Sequence, residues 1–402
     1  MYGDERVGVV VPAYNEEQFI GDVLREIPEY VDRIYVVDDD STDDTWTEIL
    51  AASRDGSADR RYGQTDREPA SDGGTDREPA SDGPDPTEIP HRSRSDERPT
   101  SQRAWSVESM AQNGDSVRAA LAERASEIRL RGRVVSIQHR SNQGAGGAIK
   151  TGYLAALVDG VDAVATIDGD GQMDPEVLSD LIDPIAEDDI GYTKGNRLLR
   201  REYRSEMPTL RLVGNFILTF LTKIASGYWR VMDPQNGYTV ISREALESVG
   251  VTNLYEDYGY CNELLIRLNV ADTRIADVPT DVEYADEESH IRYSSYVPRV
   301  STLLLRGFLW RLKTKYLILD FHPLVFFYLF GAGAVGLGAL GGVYTLWRGL
   351  AAGSGVGFGG VLSPLLVVAG VAFLLFAMVL DRAENESLVR PQQLGANSAR
   401  ME

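Results

Sequence analysis

The sequence predicts an α/β domain built on a mostly parallel sheet, followed by an interfacial helix and two membrane-crossing helices. Three observations carry this. Short β-branched runs alternate with segments of helical spacing, and acidic or polar clusters stand where the strands end. Two stretches, Pro323 to Trp347 and Val356 to Leu380, are uncharged, and each exceeds the ~20 residues needed to cross a hydrocarbon core.

The first elements are "RVGVVVP" (6–12) and "RIYVVDDD" (33–40), with "EEQFIGDVLREIPEYV" between them at helical spacing. Strand, helix, strand at this length reads as a βαβ unit. From 52 to 115 the texture changes to Ser, Asp, Arg, Gly and Pro, with a direct repeat of "TDREPASDG" at 65–73 and 75–83. So little apolar surface cannot offset ordering entropy, and a disordered insertion in a surface loop is expected. The fold resumes with a helix over "SVRAALAERASEIRLRG", the strand "RVVSIQH", and "SNQGAGGAIKTGYLAALV", where glycines open a helix. Those glycines lack the G-x-G-x-x-G spacing of a dinucleotide loop, so tight helix entry is the preferred reading.

The expected boundaries are a domain over 1–297, a juxtamembrane amphipathic helix over 298–321, spans over 322–347 and 356–381, and a tail over 382–402. Arg306, Arg311, Lys313 and Lys315 precede the first span, Arg382 and Arg390 follow the second, and Arg348 alone marks the connection. This asymmetry predicts both ends in the cytoplasm. The segment "VPRVSTLLLRGFLWRLKTKYLILDF" mixes Leu, Phe and Trp with basic residues, as an interfacial helix does, although a core helix of the domain is the alternative. Ala332/Gly336 and Gly338/Gly342 have the small-xxx-small spacing that permits close helix packing, including self-association. The sequon at Asn385 is expected to be silent on the cytoplasmic side.

Composition narrows the function. The chain carries 61 acidic and 40 basic residues, a formal charge of -21, and only five lysines, Lys150, Lys194, Lys223, Lys313 and Lys315. A nucleic-acid binder needs a basic face, so that class is disfavoured. Abundant carboxylates with little Lys also suit a salt-rich cytoplasm. Cys261 is the single cysteine, which excludes an internal disulfide and a Cys-based zinc site. The N-terminal run lacks the basic flank and cleavage site of a signal peptide, so the N-terminal part is expected in the cytoplasm.

Ligands of open α/β sheets bind beyond the carboxyl ends of the strands. "PAYNEE", "DDDSTDD" and "DGDGQMD" all fall at such ends. Asp168 and Asp170 share a face in extended backbone, and Gly169 and Gly171 let the loop bend them toward one point. Two converging carboxylates repel unless a cation joins them, and hard oxygen donors select Mg2+ or Mn2+, which usually keep positions for substrate phosphates. A calcium loop starting at Asp168 would need Gly at 173 and Glu at 179, where Met173 and Ser179 stand, so that reading fails. An Asp-rich turn in which Asp174 caps a helix is the structural alternative.

Taken together, "PAYNEE", "VVDDDSTDDTW", "DGDGQMDP", "GNR" and "MDPQNGY" resemble family 2 glycosyltransferases of the GT-A fold. More narrowly they are similar to the polyprenyl-phosphate sugar transferases, over about residues 6–320 apart from the insertion. The resemblance implies that Pro12, Ala13, Tyr14, Glu16 and Asp39 line a nucleotide pocket, with Asp168 beside the diphosphate. Asp168, Asp170 and Gln172 would form the metal site. Arg197 and Arg211 would hold the lipid phosphate, with Asn215, Asn236, Gly237 and Arg292 at the acceptor side; Asn215 stands where Ser is common, and His290 where Lys is usual. Asp170, Arg197 and Arg211 are the expected catalytic groups. Arg201 and Arg204 are further phosphate candidates, or a solvated loop.

The expected partners are a nucleotide-sugar donor (a UDP-sugar favoured, GDP-mannose the alternative), dolichyl or another polyprenyl phosphate, and the membrane. A divalent ion and arginines would neutralise charge on the departing diphosphate. A phosphate acceptor is already ionised and needs alignment more than a base, so in-line attack would invert the sugar. Glu256, Asp257 and Glu263 are base candidates, with helix capping or support as the other reading. A polysaccharide synthase would carry Gln-x-x-Arg-Trp and more spans. A catalytically dead scaffold would not need intact Asp168, Asp170, Gln172 and Arg197.

Overall fold

The computed structural model describes residues 2–54, 101–112, 115–197, 209–257, 259–280, 293–352 and 357–390. The expected α/β architecture is present. Eight strands form one sheet: β1 (Val7–Ala13), β2 (Arg33–Asp38), β3 (Ala125–Arg131), β4 (Val134–His139), β5 (Ala163–Thr166), β6 (Tyr192–Asn196), β7 (Thr239–Ser242) and β8 (Ile275–Pro279). They lie in the order β3-β4-β2-β1-β5-β7-β6-β8. β1 pairs in parallel with β2 on one side and β5 on the other, with Ala13 opposite Asp38 and Val10 opposite Thr166. Chain order reverses between β1 and β5. Such a switch point leaves a crevice at the carboxyl ends of the strands.

The strands form because their Val and Ile residues are buried on both faces, as a sheet covered by helices on either side requires. The covering helices are α1 (Ile20–Glu26), α2 (Thr45–Ala52), α3 (Val107–Gln112), α4 (Ser116–Arg124), α5 (Gly144–Asp159), α6 (Leu178–Glu187), α7 (Thr209–Ser226), α8 (Arg243–Ser248) and α9 (Tyr260–Val270). The glycines that open α5 serve close packing. A Cβ at Gly146 would stand 2.7 Å from the Glu256 carbonyl oxygen, and the Gly147 N–H donates to that oxygen at 2.9 Å. Tight helix entry, not a dinucleotide loop, is the arrangement found.

Two expectations are corrected. The helix expected over 116–132 ends at Arg124, and "ASEIRLR" becomes β3, antiparallel to β4, with Gly132 at positive φ in the connecting turn. Glu, Arg and Leu favour helix locally, but pairing with β4 overrides that preference. The insertion expected over 52–115 is also too long. Residues 101–112 belong to the domain, with Trp105 and Met110 buried in the core and the Trp105 ring against Tyr35. One indole supplies enough apolar area to anchor a polar segment. The repeat itself lies outside the described residues.

Beyond the sheet come α10 (Tyr293–Lys313), a π-helical turn (Thr314–Leu319), and two long apolar helices, α11 (Leu324–Ala352) and α12 (Gly357–Glu384). α10 packs one side on the domain and leaves another side open. Val300 and Leu304 are buried with Ala225 and Ile266 of the domain, whereas Leu305, Leu309 and Trp310 are exposed. α11 and α12 are long and apolar enough to cross a membrane by length and composition, and most of each is exposed, including Leu337, Leu340, Val361 and Leu365. They form a hairpin in which a Cβ on Gly338 would meet the Ser363 carbonyl oxygen at 2.8 Å. Gly338 is therefore used within the chain and is not free for self-association, while Ala332 and Gly336 remain exposed.

Candidate active site

The three clusters expected at strand ends meet at the crevice. The loop after β1 is stitched to the loop after β2: the Asn15 N–H donates to Ser41 Oγ at 3.0 Å, and Asn15 Oδ1 accepts from the Thr42 N–H at 2.8 Å. The Glu16 N–H donates to Thr45 Oγ1. Asn15 and Asp40 hold positive φ, which their short polar side chains tolerate. Pro12 and Ala13 underlie this loop, and Tyr14 is 47% exposed, leaving its ring open for stacking.

Asp39 is also tied to the start of α5. It is buried, and its carboxylate accepts from the Gln143 and Gly144 N–H groups, both at 2.8 Å, at the start of α5. Its Oδ1 also meets His139 Nδ1 at 2.6 Å, and His139 Nε2 meets Thr151 Oγ1 at 2.8 Å. The residue therefore caps a helix N-terminus, where a carboxylate is favoured by orphan N–H groups and the helix dipole. His139 is a structural partner that sequence reasoning missed.

β5 delivers Asp168 and Asp170. Asp170 Oδ1 accepts from the Gln172 N–H at 3.0 Å, which folds the loop back on itself. Burial and the neighbouring Asp170 charge push the Asp168 carboxyl up to about 7, against the opposing pull of Arg197. A carboxylate so destabilised beside a second one is relieved by a cation. The oxygen donors of Asp168, Asp170 and Gln172 suit Mg2+ or Mn2+, which would take further oxygens from a diphosphate. Among the described residues no group of three or more His, Cys, Asp or Glu side chains is arranged to hold a metal ion.

Arg197, just after β6, is gripped by Asp233: Nε to Oδ2 is 2.7 Å and Nη2 to Oδ1 is 3.0 Å. The forked pair holds the carboxyl of Asp233 below its ordinary range despite burial. Asp233 stood inside the quoted "MDPQNGY", so its motif was legible but its partner was not. The same loop places Gly237 against Asp168, where a Cβ would come within 3.3 Å of Oδ2. Asn236 is buried; its Oδ1 accepts from the Tyr238 N–H at 3.0 Å, so it shapes the loop from within.

Below this loop lies a buried pair. Lys194 Nζ donates to the Met232 carbonyl at 2.7 Å, while Asp277 accepts from the Met232 N–H at 2.8 Å and from Asn196 Nδ2 at 2.8 Å. Asn196 stood in the quoted "GNR", but its partner Asp277 was not anticipated, because β6 and β8 are brought together only by the sheet order.

The remaining base candidates are already paired. Glu256 accepts from Arg124 at 2.8 Å and from Lys150 at 2.7 Å, and these cations keep its carboxyl low although burial opposes them. Asp257 faces Arg299, and Glu263 accepts from the Tyr255 N–H and from Arg267. Burial raises the Cys261 thiol to about 11, which leaves it inert. Arg211 and Asn215 lie on α7, but their side chains are outside the described residues, as are Arg201, Arg204, His290 and Arg292.

Residues 8–62 and 113–250 match the family described as glycosyl transferase family 2. Over 154 residues the chain is 34% identical to UDP-N-acetylglucosamine--dolichyl-phosphate N-acetylglucosaminyltransferase of Methanococcus voltae; the match covers 38% of this chain and 61% of that relative. It is 29% identical over 165 residues to an uncharacterised protein of Methanocaldococcus jannaschii, covering 41% of this chain and 67% of the other. Among solved structures, glucosyl-3-phosphoglycerate synthase from Mycobacterium tuberculosis in complex with UDP superposes with a TM-score of 0.43 at 19% identity, covering 77% of this chain and 81% of that one. Strands β2 to β7, with Asp168 and Asp170, fall within the stretches that match glycosyl transferase family 2, which make up just under half of the chain.

Proposed function

We propose that this protein transfers one sugar from a nucleotide-sugar donor to a polyprenyl phosphate, dolichyl phosphate being the favoured form, at the cytoplasmic face of a membrane. The observation that carries the reading is the convergence of Asp168, Gly237 and the Arg197–Asp233 pair at the crevice of a chain that also holds two exposed apolar helices. The Methanococcus relative is named for UDP-N-acetylglucosamine and dolichyl phosphate, and a UDP-sugar is the proposed donor here.

Asp168, Asp170 and Gln172 would hold a divalent ion, which when bound neutralises charge on the leaving diphosphate. Tyr14, Pro12 and Ala13 supply an apolar and aromatic wall for the nucleotide, with Glu16 in the loop beside them. Arg197, oriented by Asp233, offers its guanidinium to phosphate oxygens, and Arg211 of α7 is proposed to share that task with Asn215 and Arg292. An ionised acceptor oxygen needs no base, in keeping with the pairing of Glu256, Asp257 and Glu263.

Exposed Leu305, Leu309 and Trp310 on α10, and Phe216, Ile217 and Phe220 on α7, support a surface resting in the headgroup region. The hairpin of α11 and α12 leaves the domain and returns to it, which supports two spans with both ends in the cytoplasm.

The test uses the full chain in nanodiscs with radiolabelled UDP- and GDP-sugars and dolichyl phosphate, with and without chelator. Label in the lipid fraction that depends on Mg2+ or Mn2+ is the expected result. Transfer unaffected by complete chelation would sink the metal assignment, and donor turnover without lipid labelling would sink the acceptor.

A further inference from the structure

The exit of the second apolar helix is built into the catalytic domain. Arg311 of α10 is 0% exposed and forks onto Asp381 of α12, with Nη1 to Oδ1 at 2.9 Å and Nη2 to Oδ2 at 2.8 Å. The same guanidinium donates to the Ile224 carbonyl of α7 at 3.0 Å and to Asn269 Oδ1 of α9 at 3.3 Å. Asp381 also accepts from Tyr316 OH at 2.8 Å and Trp229 Nε1 at 3.3 Å. Room for the arginine comes from Gly227, at φ +80°, where a Cβ would stand 2.2 Å from Nη1.

One turn on, Asn385 is buried and accepts from Asn269 Nδ2 at 2.8 Å and from Lys315 Nζ at 3.1 Å, so its sequon is closed to a glycan. The chain then joins the sheet edge. Val389 bridges Ile275 of β8, the Arg390 N–H donates to the Ile275 carbonyl at 2.9 Å, and Arg390 pairs with Asp188 at 2.6 Å.

A tether would need none of this. Burying a guanidinium and a carboxylate at the end of an apolar helix costs desolvation that the bonds of both Nη groups offset only in part, since Nε is left without a partner among the described residues, and the best attested use of such pairs is to fix register. The rod that Arg311 grips is α7. Its far end carries Arg211, 13 residues from Ile224, or about 20 Å of helix.

We infer that Arg311, with Asp381, is a positioning residue: it locks the spans to α7 and so sets the acceptor end of the site at a fixed height and tilt above the bilayer. The inference rests on the proposed lipid-phosphate acceptor.

The test compares the full-length protein in nanodiscs with its Arg311→Ala, Arg311→Lys and Asp381→Asn variants. For polyprenyl phosphate in the bilayer, kcat/KM should fall roughly tenfold or more, as misplacement of about an ångström does. For a short-chain, water-soluble prenyl phosphate it should barely change, and the donor KM should hold. Arg311→Lys, which keeps charge but not the fork, should fall between. Equal losses on both acceptors, or no loss, would overturn the lock. Should Arg311→Ala not fold, Arg311→Lys and Asp381→Asn, which nearly keep the volume of the pair while breaking its fork, carry the comparison and are read in the same way.

A readout without activity separates this from the functional reading. Spin labels at Leu350→Cys and Arg54→Cys should give one narrow distance distribution in the parent and a broad one in the Asp381→Asn background. An equally narrow distribution in both overturns the lock, whereas narrowing lost without any sugar transfer by the parent would fault only the proposed acceptor.

Discussion

Arg197 and Asp233, 36 residues apart, face each other as a two-pronged ion pair in which Asp233 is buried and Arg197 keeps part of its side chain toward the crevice. The pair joins the end of β6 to the loop that touches Asp168. Removing either partner should therefore act on catalysis as well as on stability. Arg197→Ala is expected to lower kcat by about 10²–10³-fold, the usual loss for a preorganised group that stabilises developing charge. Asp233→Asn keeps the shape but lets the guanidinium wander, and a loss of roughly tenfold is expected. Steady-state transfer assays on the two variants check the ranking, and equal, small effects would contradict it.

The Asp168 carboxyl gives a pH signature. Its value in the fold, about 7, lies above the ordinary 3.8, so the folded state holds the proton more tightly than the unfolded chain. The stability this contributes is complete below pH 3.8 and is lost as pH climbs through about 7. Metal-free protein should melt at a lower temperature at pH 8 than at pH 6. Added Mg2+ or Mn2+ should raise the melting temperature more at pH 8, and Asp168→Asn should abolish both trends in a thermal-shift series.

Glu256 should not behave as a catalytic base. Its carboxylate is held by Arg124 and Lys150 and already ionised well below neutrality. Glu256→Gln is expected to leave the pH profile of kcat unshifted while lowering the melting temperature. A lost alkaline or acidic limb in that profile would reinstate it as a base.

Asp39 belongs to the start of α5. Asp39→Ala leaves two half-buried N–H groups and His139 without their acceptor, and a loss of about 1–2 kcal/mol is expected, as for other helix caps. Urea denaturation measures it. An unchanged midpoint with a raised donor KM would instead make the nucleotide pocket its main role.

The formal charge of -21 predicts a response to salt. Self-repulsion among exposed carboxylates is screened as the Debye length shrinks from ~10 Å at 0.1 M to ~3 Å at 1 M, so the melting temperature should rise with KCl over that range.

Much of this molecule is written locally. The β-branched runs of β1, β2 and β5, the acids that follow each of them, and the uncharged lengths of α11 and α12 follow from side-chain period and composition, which neighbours in sequence express by themselves. The strand ends carrying "PAYNEE", "DDDSTDD" and "DGDGQMD" could therefore be named before any coordinates. What the tertiary structure alone decided are partnerships at long separation. Sheet order and helix packing turned "ASEIRLR" from helix to strand, drew Asp39 inward to cap α5, matched Arg197 with Asp233, and set Arg311 against Asp381 across 70 residues. A charged side chain carries no local mark of its partner. Its role depends on which opposite charge or orphan N–H the folded backbone brings within about 3 Å, and that distance exists only once the core has packed.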